Sequence, residues 1–295
     1  MPVADEVARL QRGEDAESRF FQGFSEEGHY RGRTEPTNTR QGIYAATPGG
    51  AFLASVNTRD AKRVAEMLET ALAKWDQLEK GERLGAEYKI EASARFERFY
   101  PEDGLILRCT SRDMKVQEEL RDSDWRRDAW NQDFVWFRKS EVDSMLPEKK
   151  VGARKMMPKS LVERLAANHL LDNVRGQTPA YRNSDIKLAE LSFVVTEIQD
   201  GSLILAIQGK TRAERTKGEG GANWENGLEC QILGYARHDG VRFTGFRMIA
   251  LGRRWGQTQY NAREGQADSK LGIALVLDLD APRVAPSNYW RYGWL

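Results

Sequence analysis

The sequence predicts an α+β protein: a small αβ module over 1–80, a mixed segment over 81–184, and an antiparallel β-meander or barrel-like domain over 185–295. Three observations predict it. A strand–turn–strand–helix pattern occupies 41–78, the hydrophobic period changes to two from Asp185 onward, and Asp-Gly dipeptides at 200–201 and 239–240 punctuate the alternating runs. Such dipeptides between alternating strands are strong hairpin signals, and consecutive hairpins build a meander.

Residues 1–40 are polar, with a short helix expected around Val3–Leu10 and an irregular stretch after it. Ile43–Ala46 and Ala51–Val56 read as strands joined by the turn Thr47–Gly50, where Pro48 and two glycines suit a hairpin. A long helix follows, capped by Asn57 or Thr58 with Asp60 in its first turn. Its apolar stripe is expected at Ala61, Val64, Leu68, Leu72, Trp75 and Leu78. "ARFERFY" and "LILRCTSRDM" read as a hairpin about Asp103-Gly104, and 117–133 as a loop or irregular helix. "SEVDSMLP" and "PKSLVERLAANHLL" read as helices, the first capped by Ser140 and stopped by Pro147, the second starting after Pro158. Beyond Asp185, five strands are expected, and the aromatic tail "NYWRYGWL" is expected to dock rather than stand in water.

The bulk numbers narrow the function. The 295 residues are 40% apolar and 30% charged, with a net charge of +1, so no global field draws nucleic acid or an anionic membrane. No apolar run approaches a membrane span and no signal peptide opens the chain, so a soluble protein with no membrane contact is expected, its compartment open. Cys109 and Cys230 form no C-x-x-C; a long-range disulfide and two reduced core thiols both remain open, the thiols favoured. His29, His169 and His238 show no metal-ligand spacing, no G-x-S-x-G elbow supports a serine triad, and no metal or cofactor is expected. "TKGEGGAN" lacks the Lys-Ser/Thr of a P-loop and reads as a hairpin loop.

One echo stands out. "VRGQTPAYRN" and "RRWGQTQYNA" both carry Gly-Gln-Thr followed by Tyr and Asn. Arg175, Gln177, Tyr181, Arg182 and Asn183 in one loop, with Arg254, Trp255, Gln257, Tyr260 and Asn261 in the other, supply fork donors, amides and aromatic platforms. Such groups suit a polar ligand. The same residues also make turns and pin loops through Arg–aromatic stacking. Both readings stay open. The leading expectation is a non-redox binding or accessory protein that holds a polar small molecule, a saccharide or a protein partner through these loops. The alternative is a hydrolase acting on a polysaccharide or ester with Glu225 and Glu229 as acid and base. Single-stranded nucleic-acid binding is weaker still, and would show a steep salt dependence.

The unit at 41–78 resembles the second half of a thioredoxin fold, shortened and without the redox dithiol. "TPGGAFLASVNTRD", "WNQDFVWF", "HLLDNVRGQTP", "RRWGQTQYN" and "NYWRYGW" together resemble a family of uncharacterised bacterial proteins. That resemblance implies a thioredoxin-like N-terminal part and a β-rich part after it, and carries no catalytic residue.

Overall fold

The computed structural model describes residues 7–29, 40–58, 60–84, 96–114, 120–219, 222–281 and 283–294. It divides into two compact units, Met1–Ser93 and Ala94–Leu295. The division thus falls once, whereas the sequence suggested boundaries near 80 and 184.

In the first unit, α1 (Val7–Leu10) and α2 (Ala16–Ser25) precede the hairpin β1 (Ile43–Ala46) and β2 (Phe52–Val56), then α3 (Ala61–Gln77) and α4 (Lys80–Leu84). The part of the expected first helix over Val3–Glu6 lies outside the described residues. Helix α2 falls where an irregular stretch was expected. Asp15 caps it, its Oδ1 accepting from the Ser18 amide at 2.9 Å, and Phe20, Phe21 and Phe24 gather edge-on. The β1–β2 hairpin is antiparallel as expected. Asp60 itself caps α3, accepting from the Lys62 and Arg63 amides. The buried face of α3 runs through Met67 and Ala71, with Trp75 and Leu78 partly buried against Leu53 and Ala54. Leu68 and Leu72, expected on that face, are 47% and 62% exposed. Val64 and Trp75 are half-buried and lie at helical spacing from either stripe.

The second unit is one eight-stranded antiparallel sheet with helices on its inner face. Its strands are β3 (Leu105–Asp113), β4 (Trp130–Phe137), β5 (Arg154–Met156), β6 (Ile186–Gln199), β7 (Ser202–Arg215), β8 (Asn226–His238), β9 (Phe243–Gly256) and β10 (Ser269–Leu277). They lie in the order β4-β3-β10-β9-β8-β7-β6-β5. The meander β6 to β10 follows the predicted hairpins. The expected barrel closure is not found: β4 and β5 are the two ends of an open sheet, with no ladder between them among the described residues. "WNQDFVWF", expected in or beside a loop, is the edge strand β4. Conversely Phe96–Phe99, expected in a strand, is a 3₁₀ turn.

Alternation places Leu105, Leu107, Leu205, Ile207, Leu228, Ile232, Met248, Ala250, Leu271 and Ile273 on one face. Helices α5 (Lys139–Met145) and α6 (Lys159–Asn168) fill that face with Val142, Met145, Leu161, Val162 and Leu165. Burial at this density makes each large-to-small change in the core cost about 2–5 kcal/mol. The tail packs Tyr289 and Tyr292 on the opposite side, against Ile106, Phe134 and Trp136. Cys109 and Cys230 are buried, unpaired thiols of the core. Burial pushes both thiols up, Cys230 to about 12.

Candidate functional site

The two Gly-Gln-Thr loops meet. Gln177 and Tyr260 form an isolated antiparallel bridge, with the Gln177 amide donating to the Tyr260 carbonyl at 3.0 Å and the Thr258 hydroxyl donating to the Gln177 carbonyl at 2.8 Å. Each loop is braced by the same device. The Thr178 amide donates to Asn173 Oδ1 at 2.8 Å, and the Thr258 amide to Asn261 Oδ1 at 2.9 Å.

The glycines are dictated by close approach. A Cβ on Gly176 would lie 1.9 Å from the Tyr260 carbonyl oxygen. On Gly256, at φ +66°, it would lie 2.2 Å from the Glu225 carbonyl oxygen. Only glycine tolerates such contacts or that dihedral at low cost.

Beneath the bridge lies a buried ion network. Arg263 binds Asp172 through Nε and Nη2, both at 2.8 Å, and Asp113 at 2.8 and 3.0 Å. Arg175 Nη2 sits 3.0 Å from Asp113 and its Nη1 donates to Gln266 at 2.9 Å. Arg254 Nε is 3.4 Å from Asp172, and Nη2 donates to the Gly256 carbonyl. All three guanidinium side chains are essentially without solvent contact. Burial works against the Arg263 charge, but the hydrogen bonds it donates to Asp172 and Asp113 outweigh it and hold its pKa above the ordinary value. Burial dominates for Arg175 and Arg254, whose pKa values fall.

The predicted site residues therefore separate. Arg175 and Arg254 face inward into ion pairs. Tyr181 is buried under Arg215 and its carbonyl accepts from Arg291 at 2.7 Å. Asn261 is buried and braces Thr258. Arg182 and Asn183 stand apart at the start of β6, where Arg182 holds Asp185 at 2.7 Å and Asn183 is exposed. Gln177 and Tyr260 remain on the surface, Tyr260 at 53% exposure, with Gln257 half-buried beside them. Trp255 is half-buried, lying over Gly227 with the Arg253 guanidinium 4.8 Å from its ring.

Sequence reasoning missed Trp224, which is 40% exposed. It precedes Glu225, whose backbone carbonyl accepts from the Gln257 backbone amide at 2.9 Å. At the bridge itself the exposed side chains are Gln177 and Tyr260.

Glu225 and Glu229, the expected acid–base pair, lie four residues apart at the start of β8. Glu225 is exposed in the turn before β8, while Glu229 projects from the outer face of β8, 3.9 Å from Arg253. Glu229 borders a shallow depression of about 350 Å³ with Gln231, Leu251, Arg253 and Lys270.

A second buried chain of polar groups was invisible in the sequence. His169 Nε2 pairs with the Tyr292 hydroxyl at 2.6 Å and its Nδ1 lies 3.5 Å from Asp133. The Tyr292 hydroxyl also accepts from the Trp136 amide at 3.4 Å. Burial holds the Tyr292 phenol well above its usual range, so it stays neutral and serves as a hydrogen-bonding clasp. Among the described residues no group of His, Cys, Asp and Glu could hold a metal ion, and no helix is long and apolar enough to cross a membrane. No protein-family model, curated protein or solved structure matches the chain.

Proposed function

We propose that the chain is a non-redox binding or accessory protein whose bridged loops hold a polar, saccharide-like ligand. The observation that carries this reading is the Gln177–Tyr260 bridge. It joins the two loops at the surface, and we read Gln177, Gln257, Glu225, Trp224 and Tyr260 as one rim above the buried ion network. Flat aromatic faces stack on the apolar faces of sugar rings, while amides and a carboxylate take the hydroxyls. This division of labour is common to polar-ligand sites. Two buried thiols with raised pKa values favour a non-redox role. We further read β1, β2 and α3 as the closing half of a thioredoxin-like module, on the order of those elements alone.

The test is a glycan and small-molecule binding screen, followed by Trp224→Ala and Tyr260→Ala. Both side chains are largely exposed. Each variant is expected to weaken binding at least tenfold while melting within a degree or two of wild type. Binding that survives in the double variant removes the rim from consideration. Arg175→Ala is expected to behave in the opposite way, lowering stability first and binding only as a consequence.

A further inference from the structure

We propose that the outer face of the sheet, across β8, β9 and β10, is a docking surface for an acidic amphipathic helix of a partner protein. Helices α5 and α6 cover the inner face, whereas the outer face exposes large apolar side chains. Leu233 is 67% exposed and Ile249 57%, and the two stand directly opposite each other on β8 and β9. Ile249 in turn faces Ala274 of β10. Leu251 and Val276, also exposed, extend the patch by one side-chain row to either side. Strand alternation puts all five on the same side of the sheet. Exposed aliphatic groups scattered singly are ordinary, but a contiguous patch in the middle of a sheet marks an interaction site.

The charges around the patch say what kind of partner covers it. The outward positions of β3, β8, β9 and β10 carry Arg108, Arg112, Arg237, Arg247, Arg253 and Lys270, and one carboxylate, Glu229. Asp278 holds Arg108, and Asp268 and Glu229 hold Arg253. The other four cations make no ion pair among the described residues. The whole chain carries a net charge of only +1, so the surplus belongs to this face. An acidic partner complements it, whereas a second copy brought face to face would set cation against cation. Single-stranded nucleic acid would supply the charge, but its bases stack on aromatic platforms and the centre of this face is aliphatic. An apolar centre within a polar rim is the anatomy of a protein interface. The dimensions fit a helix. Three strands at a spacing of about 4.8 Å make the patch about 10 Å wide, close to the diameter of an α-helix. Two side-chain repeats along the strands give about 13 Å, or about two and a half helical turns. The depression beside Leu251, bordered by Gln231 and Lys270, receives one anchoring side chain at the end of that track. No rim residue takes part, so this surface is tested independently of the rim's ligand.

The experiment is fluorescence anisotropy of the full chain with a labelled peptide that carries leucine on one helical face and glutamate on the other. A length of about sixteen residues lets it form a helix alone. It is expected to bind in the micromolar range at physiological ionic strength, and the same peptide with lysine for glutamate is expected not to bind. Leu233→Thr with Ile249→Thr places β-branched threonine at two exposed strand positions. That double variant is expected to melt within about two degrees of wild type and to weaken binding by about tenfold or more. Arg247→Gln removes one free cation and is expected to weaken the glutamate peptide and lower its salt dependence. Equal binding of the two peptides, no binding of either, or binding that survives the double variant overturns the proposal. Should the double variant fail to fold, Arg247→Gln decides, and unchanged binding there overturns it. A wild-type dimer in sedimentation that the double variant dissolves overturns it too, because a second copy then occupies the face. Phosphatidylserine vesicles or an oligothymidylate that bind more tightly than the peptide, and lose binding in the double variant, assign the face to lipid or nucleic acid and overturn it.

Discussion

Arg263 is the residue on which the bridged loops depend, because it joins Asp113 of β3 to Asp172 of the loop after α6. Its side chain is fully buried and each of its nitrogens is hydrogen-bonded to a carboxylate. Replacing it leaves two carboxylates buried without their shared cation. Arg263→Leu is expected to cost about 3–5 kcal/mol, read as a shift in the urea midpoint. Arg108→Ala breaks an ion pair whose arginine is 48% exposed and is expected to cost no more than about 1 kcal/mol. Equal costs for the two would show that burial does not govern these pairs. The sequence displayed the turn chemistry of the Gly-Gln-Thr loops plainly, but could not say which arginines face inward. That depends on Asp113 and Asp172, which are remote from Arg263 along the chain and carry no local signal of their role. Arg175 and Arg254 look like ligand donors for the same reason that they make good buried ion pairs: the planar fork serves both.

At the scale of elements, legibility follows period and capping. Strands β6 to β10 alternate cleanly, so their presence and order were readable, although β6 begins five residues before its expected run and β9 ends four after its own. Strand β4 was not. Its inner side takes Val135 and Phe137, while the tail covers Phe134 and Trp136 on the other, so both faces are apolar and the alternation disappears. Being an edge strand, β4 also needs protection for its outward N–H groups. The tail provides it, since the Tyr292 hydroxyl accepts from the Trp136 amide while pairing with His169. Tyr292→Phe keeps the ring packing but leaves both partners buried without that hydroxyl. It is expected to cost about 1–3 kcal/mol and to raise hydrogen exchange selectively at the Trp136 amide. Exchange unchanged at that amide would mean that the tail covers β4 by apolar contact alone.

Over the whole molecule, contact between distant segments decided what the sequence could not. The hairpin order gave the centre of the sheet, but β3 joins β10 and extends the sheet to β4 across a long intervening chain. Pairings of that separation leave no periodic trace, and they are what turn the expected barrel into an open sheet. They also tie 94–184 to 185–295 as one cooperative body. The core within that body runs from Leu105 to Leu275 and includes α5 and α6. By contrast, the buried apolar cluster of the first unit consists of Leu53, Ala54, Met67 and Ala71 among the described residues. Small cores supply little stability against the entropy of ordering a chain. A fragment spanning Ala94–Leu295 is therefore expected to unfold in one cooperative transition close to the main transition of the full chain. A fragment spanning Met1–Ser93 is expected to melt broadly and at lower temperature. Calorimetry of the two fragments beside the full chain checks both. If Ala94–Leu295 alone is unfolded while the full chain melts sharply, the sheet's core is not self-sufficient, and the smaller unit contributes stability that its own cluster does not reveal.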